Sequence, residues 1–177
     1  TWQEDNSKGS NEITMQCLIT GKIEPIARTH TPIKGVKNAQ AAGASIVSFN
    51  DDSFCSYGKE SSYNAPISKS AMFKYTTVLN YLLRNPKNRM FIGEDTVVFW
   101  AEKKGIYEDL LAELLNPTAE KEEIETETSD MNARNLAKDI LTKYSEGIKL
   151  NGENYNIDPS TTVHILGISP NNARLAI

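Results

Sequence analysis

Residues 66–101 read PISKSAMFKYTTVLNYLLRNPKNRMFIGEDTVVFWA, and this stretch decides the fold class of the chain. Apolar side chains recur in its first half at spacings of three and four, which predicts a helix from Pro66 or Ser68 to Arg84. Asn85-Pro86 ends that helix. Two short apolar or β-branched runs, residues 89–92 and 96–101, flank Gly93-Glu94-Asp95 and predict a hairpin. A helix followed by a hairpin favours a mixed architecture.

The rest of the chain repeats this mixture of hairpins and isolated helices. Alternating or continuous short apolar runs predict strands at residues 12–20, 23–29, 45–50, 161–168 and 173–177. Helical spacing predicts helices at residues 107–115 and 130–144, while residues 34–43 form a loop or one short helix and residues 51–65 form a long loop. This order predicts an α+β fold with a mainly antiparallel sheet, built from hairpins with about three helices.

Composition places the chain among ordinary globular proteins. Its 177 residues, 39% hydrophobic and 24% charged, fit a single domain over residues 1–177. No run approaches the about 18 apolar residues that a membrane helix needs, and no signal peptide is evident, so we expect a cytoplasmic protein without a membrane partner. The two cysteines, Cys17 and Cys55, are too few and too far apart to indicate a disulfide framework or a zinc site.

Charge is unevenly distributed along the chain. Residues 1–104 hold 13 Lys and Arg against 10 Asp and Glu, whereas residues 105–177 hold 6 against 13, which together give the net charge of −4. Six of the eleven residues from 118 to 128 are charged, and five of those are glutamate. We therefore expect residues 117–128 to be an acidic flexible connector. The acidic net charge also argues against a chain that binds nucleic acid over its whole surface, so any site for an anionic ligand such as DNA must be local.

The candidate ligand-binding stretch lies just before the predicted helix, at residues 32–66. Gly35, Gly43 and Gly58 allow the backbone to approach a ligand closely, and lysines neutralise phosphate. Lysine and amide side chains contact phosphates or base edges. The same side chains are also typical of solvated loops whose amides satisfy turns. The group consists of Lys34, Lys37, Asn38, Gln40, Lys59 and Asn64.

Two further features have a functional and a structural interpretation. Tyr57 and Tyr63 lie among these lysines, where aromatic rings either stack on exposed bases or pack beneath the loop. The turn before the last predicted strand contains Asn172 and Arg174. These two residues contact a nucleic-acid backbone, contact a neighbouring subunit, or only stabilise the turn.

Catalytic chemistry has little support in the sequence. No Gly-Lys-Ser/Thr follows Gly35 and Gly43, so the region is not a P-loop. The acidic pairs fall in predicted loops or turns, where such residues commonly hydrogen-bond locally. His30 and His164 have no partner at metal-ligand spacing and are interpreted as ordinary strand-end or sheet-face histidines. We expect no catalytic residue, no metal site and no cofactor.

Several segments, in order along the chain, closely resemble one known family. They are CLITGKIEPIARTH (17–30), the glycine-rich stretch, NAPISKSAMFKYTTVLNYLL (64–83), DTVVFWAE (95–102) and HILGISPNNARLAI (164–177). The resemblance is to the large subunit of the type I-C CRISPR Cascade complex, the subtype Dvulg family. Because the chain opens at Thr1 without methionine and stops at Ile177 within a predicted strand, we expect it to be an internal fragment of a longer protein.

The resemblance implies a noncatalytic role in antiviral defence. Such subunits assemble with a CRISPR RNA and other Cascade proteins, help to read the protospacer-adjacent motif, open double-stranded target DNA, and lead to recruitment of a helicase-nuclease. The match to the glycine-rich loop makes its lysines and amides the expected DNA contacts. The alternative is a structural module that packs against other Cascade subunits without touching DNA, which predicts an exposed apolar patch. A stand-alone enzyme, which requires a pocket of convergent titratable groups, is a third and weaker alternative.

Overall fold

The fold is α+β, as the sequence predicts. The computed structural model describes residues 12–103, 105–115, 128–148, 157–158 and 160–177, with the backbone alone at residues 128–131. Strands β1 and β2 form one antiparallel sheet, and a second sheet has the order β3-β4-β5-β6. The described helices and strands are α1 (Lys69–Arg84), α2 (Tyr107–Leu115), α3 (Thr128–Ser145), β1 (Thr14–Gln16), β2 (Ile23–Pro25), β3 (Arg89–Ile92), β4 (Asp95–Ala101), β5 (Val163–Asn171) and β6 (Arg174–Ala176).

Helix α1 begins and ends where its sequence signals lie. The Ser68 hydroxyl accepts a hydrogen bond of 3.2 Å from the Ala71 N–H, which satisfies one unpaired donor of the first turn. At the other end, the Asn85 side chain accepts from the Lys87 N–H at 3.2 Å and begins the 3₁₀ turn Pro86–Asn88. The predicted helix is therefore confirmed, with its first helical residue at Lys69.

Two compact units make up the described chain, and the first comprises residues 12–81 and 170–176. Its hairpin pairs Met15 with Glu24, and a turn over residues 17–22 joins the two strands. The Cys17 thiol is fully buried and accepts a 3.3 Å hydrogen bond from the Ser68 N–H. Cys17 also packs with Ile67 and Ala71, so the hairpin and the start of α1 share one small core.

The second unit contains the described residues between 82 and 169. Strand β4 lies between β3 and β5, with Val98 opposite both Arg89 and Leu166. The side chains from Thr96 to Phe99 are buried, as expected for a central strand. Between α2 and α3, a carboxylate oxygen of buried Glu113 lies 3.8 Å from Nε of Arg134.

Several strand predictions were wrong in their extent. The strands predicted at residues 12–20 and 23–29 are observed only as Thr14–Gln16 and Ile23–Pro25, because residues 17–22 form the turn between them. Residues 45–50 do not form a strand: the bridge described within them is the isolated one from Ser45 to Arg174, and the neighbouring Ala44 forms another isolated bridge to Ile33. The last reversal falls at residues 172–173 rather than 169–172, since Asn172 takes the left-handed conformation (φ 55°) that turns the chain. The predicted acidic connector lies almost wholly outside the described residues, and the single-domain assignment stays a prediction.

Candidate nucleic-acid interface

The glycine loop, residues 34–43, is closed at its base by a two-way backbone bridge. The Ile33 N–H donates to the Ala44 carbonyl at 2.8 Å, and the Ala44 N–H returns a bond of 2.9 Å. Gly43 has φ +102°, and a Cβ placed on it would lie 2.7 Å from Cβ of Pro32. Only glycine fits this position without strain, so the close approach of the two arms depends on it.

Helix α1 holds the first arm of the glycine loop through one amide side chain. Asn80 accepts a 2.8 Å hydrogen bond from the Lys34 N–H and donates at 3.3 Å to the Pro32 carbonyl. Ile33 and Val36 are buried beneath this arm, whereas the side chains of Lys34 and Lys37 are exposed. The two predicted cations are therefore presented to solvent from an anchored backbone.

The second arm of the glycine loop meets the turn that precedes β6. The Gln40 side chain donates a 3.2 Å hydrogen bond to Oδ1 of Asn172, 132 positions away in sequence. Backbone bonds at Ser45 support this contact: its N–H donates to the Ala173 carbonyl and its carbonyl accepts from the Leu175 N–H, both at 3.0 Å. Two predicted contact residues thus form one amide pair.

Arg174 is directed toward residues 50–54 and is half-buried there. Its guanidinium donates to Oδ1 of Asn50 and lies 4.4 Å from the centre of the Phe54 ring. Hydrogen bonds from the Ser53 hydroxyl and N–H, together with the Arg174 charge, lower the pKa of Asp51. Arg174 therefore stabilises the turn over residues 50–54 through its contacts with Asn50 and Phe54.

A second loop, residues 56–64, carries the remaining predicted contacts. Asn64 accepts a 2.8 Å hydrogen bond from the Ser56 N–H and donates to the carbonyls of Lys59 (3.0 Å) and Ser61 (2.9 Å). Both amide hydrogens of Asn64 are therefore used within the loop, which makes it a positioning residue. Lys59 is exposed, and so is Tyr57, whereas Tyr63 is half-buried.

A cleft with a mixed polar and apolar lining beside these loops was missed by sequence reasoning. Its volume is about 240 Å³. The lining combines residues far apart in sequence, so no local pattern indicates it. His30, at its wall, lies 2.6 Å from the Tyr75 hydroxyl through Nδ1, while its buried Nε2 has no hydrogen-bond partner among the described residues. The other lining residues include the polar Arg28, Ser48 and Asn50 and the apolar Val47 and Phe49.

Burial of His30 predicts a pH-dependent stability. Burial lowers the pKa of His30 below its ordinary value of 6.5, because the charged imidazolium loses hydration. The unfolded chain then binds more protons as the pH falls through about 6.5, so stability is complete above that pH and is lost below it. We expect the unfolding free energy of the wild type to decrease between pH 7.5 and pH 5. The decrease should be smaller in His30→Gln, because that variant lacks the buried imidazole.

Urea unfolding at the two pH values measures this difference. Tyr75→Phe is the matched control, because it removes the hydroxyl but leaves His30 buried and should keep the wild-type pH response. Equal responses in the wild type and His30→Gln would contradict the prediction.

Neither a metal centre nor a membrane segment is found in the described part of the chain. No group of three or more His, Cys, Asp or Glu side chains there is arranged to hold a metal ion. Nor does any helix among those residues combine the length and the apolar character that crossing a membrane requires.

Comparison with known protein families gives a match over the whole chain. The family model described as CRISPR-associated protein (Cas_Csd1) matches residues 1–177, the whole chain. No curated protein matches the chain.

Proposed function

Since this chain belongs to the CRISPR-associated protein family Cas_Csd1, we propose that it is a noncatalytic segment of the large subunit of a type I-C Cascade complex. Its task in this proposal is to help bind double-stranded target DNA and recognise the protospacer-adjacent motif. Its partners are a CRISPR RNA, the other Cascade proteins and a helicase-nuclease that the complex recruits. The site of action is the cytoplasm.

The anchored glycine loop is the observation that carries this proposal. Asn80 fixes the backbone at Lys34, and the buried Ile33 and Val36 fix the arm on which Lys34 and Lys37 are exposed. Cations held on an ordered backbone bind phosphates at a smaller entropic cost than cations on a mobile loop. The loop therefore supplies affinity and a fixed position on the duplex.

The amide pair of Gln40 and Asn172 supports a role in reading bases. Their hydrogen bond uses one N–H of Gln40 and the carbonyl oxygen of Asn172. Gln40 keeps its carbonyl and a second N–H, and Asn172 keeps its NH₂ group, and such groups pair with adenine edges. Asn38, in the left-handed conformation (φ 58°), is exposed on the same loop. Phosphate contacts and base contacts would thus come from one surface.

The structural-module alternative is also favoured by a specific observation. Helix α1 exposes Phe73 (66%), Val78 (56%) and Tyr81 (65%), three large side chains of the kind that usually pack against a core or a partner. Exposed apolar groups of this kind mark protein interfaces. Packing of α1 against another Cascade subunit is compatible with DNA binding by the glycine loop, so one unit can serve both roles.

DNA binding by the assembled complex tests the proposal. Duplexes that are identical except in the base pairs beside the target are compared by fluorescence anisotropy. We expect affinity to differ by at least about tenfold between the preferred and the poorest motif, because a mismatched base pair costs about 1–3 kcal/mol. Equal affinity for all motifs would contradict motif recognition, and no difference between complexes with and without this chain would favour the structural module.

A further inference from the structure

The tip of the 56–64 loop presents an aromatic ring entirely to solvent. The Lys59 N–H donates to the Ser56 carbonyl at 3.0 Å, which closes a four-residue turn. Its central residues, Tyr57 (φ 53°) and Gly58 (φ 66°), are both left-handed, as in a type I′ turn. The Tyr57 side chain is 98% exposed.

This arrangement does not stabilise the isolated chain. A bulky residue with positive φ is strained, and a fully exposed aromatic ring leaves its apolar surface in water. The turn is nevertheless held in place, because Asn64 bonds Ser56 on one side of it and Lys59 on the other. Strain that the surrounding structure maintains is typical of functional sites.

We infer that Tyr57 stacks on an unpaired base of the nucleic acid bound by this unit, an inference that rests on the proposed function. Both faces of the ring are open to solvent, and every base offers a π-face, so the contact would tolerate any sequence. The neighbouring charges of Lys59 and Glu60 are opposite in sign and nearly cancel. The contact therefore depends on stacking more than on charge.

Stacking and charge make different predictions for salt dependence. Loss of a lysine-phosphate contact makes the dependence of affinity on salt shallower, whereas loss of a stacked base leaves that slope unchanged. For Tyr57→Ala we expect affinity to fall at least about fivefold at every salt concentration. Tyr57→Phe keeps the ring and should bind within about twofold of the wild type.

The experiment uses the complex that contains the full chain. Its ligand is a DNA duplex with a short unpaired overhang that is not complementary to the guide and carries 2-aminopurine, a base whose fluorescence falls on stacking. We expect quenching and preferential binding over a blunt duplex with the wild type and with Tyr57→Phe, but not with Tyr57→Ala. Tyr57→Gly relieves the positive-φ strain, so it should be at least as stable as the wild type while binding as weakly as Tyr57→Ala.

Several outcomes would overturn the inference. Base stacking would be excluded if Tyr57→Ala bound DNA with wild-type affinity, or if the wild type showed no preference for the overhang. If the variant lacking Lys34 and Lys37 still lost DNA binding, the proposed function would remain supported and only the role of Tyr57 would be wrong. Loss of another Cas protein from the complex with Tyr57→Ala would assign the ring to a protein contact instead. Absence of any DNA binding that depends on this chain would overturn both proposals.

Discussion

Gly43→Ala is expected to destabilise the chain by about 3 kcal/mol and to remove most of its contribution to DNA affinity. The new methyl group would lie 2.7 Å from Cβ of Pro32 and 3.0 Å from the Ile33 carbonyl oxygen, on a residue whose φ is +102°. One arm of the glycine loop must therefore move. Because the Ile33–Ala44 bridge closes the loop, this movement would displace Lys34 and Lys37 together.

Gly21→Ala is the matched control for this variant. Gly21 has a similar positive φ of +69°, but a Cβ added there meets nothing within 4 Å, so its cost is backbone strain alone, about 1 kcal/mol. Urea unfolding gives both free energies, and anisotropy with labelled duplex gives the affinities. Equal destabilisation by the two substitutions, or unchanged DNA binding by Gly43→Ala, would contradict this role of the glycine loop.

Replacing Lys34 and Lys37 together by alanine is expected to lower DNA affinity about 10- to 100-fold at about 0.1 M salt. Each phosphate contact contributes about 0.9 to the slope of log affinity against log salt, so the loss of two contacts reduces both the slope and the affinity. The loop should keep its anchor, because Asn80 bonds the Lys34 backbone, which the substitutions leave in place. Urea unfolding of the double variant checks that the fold is intact.

Helices and strands whose start, end and apolar face are specified by neighbouring residues were predictable from the sequence. Helix α1 has an apolar face, a Ser68 cap and a Pro86 stop within one continuous stretch, and the β3–β4 hairpin has Gly93 at its turn. Residues 45–50 failed as a strand prediction because an apolar run does not specify its pairing partner. Ser45 pairs with Arg174, far along the chain, and a single bridge does not extend into a strand.

The candidate interface was predictable in its residue types but not in its contacts. The glycines and lysines of residues 34–43 indicated a loop open to an anion, and the structure exposes Lys34 and Lys37 on it. Nothing local indicates that Asn80 anchors this loop or that Gln40 pairs with Asn172, since 46 and 132 positions separate the partners. Asn64 stays a predicted DNA contact, but its hydrogen bonds within the loop could not be foreseen, because an amide that stabilises a turn and an amide that contacts a base are the same residue in sequence.

The most direct test of the central claim is the salt dependence of duplex binding by the complex. Three forms of the chain are compared: the wild type, Lys34→Ala/Lys37→Ala, and Lys22→Ala/Lys138→Ala, which removes the same charge from two exposed lysines outside the candidate interface. We predict that the slope becomes shallower by about two in the first variant and stays at the wild-type value in the second. An unchanged slope in Lys34→Ala/Lys37→Ala, or the same change in both variants, would contradict the assignment of the glycine loop to DNA.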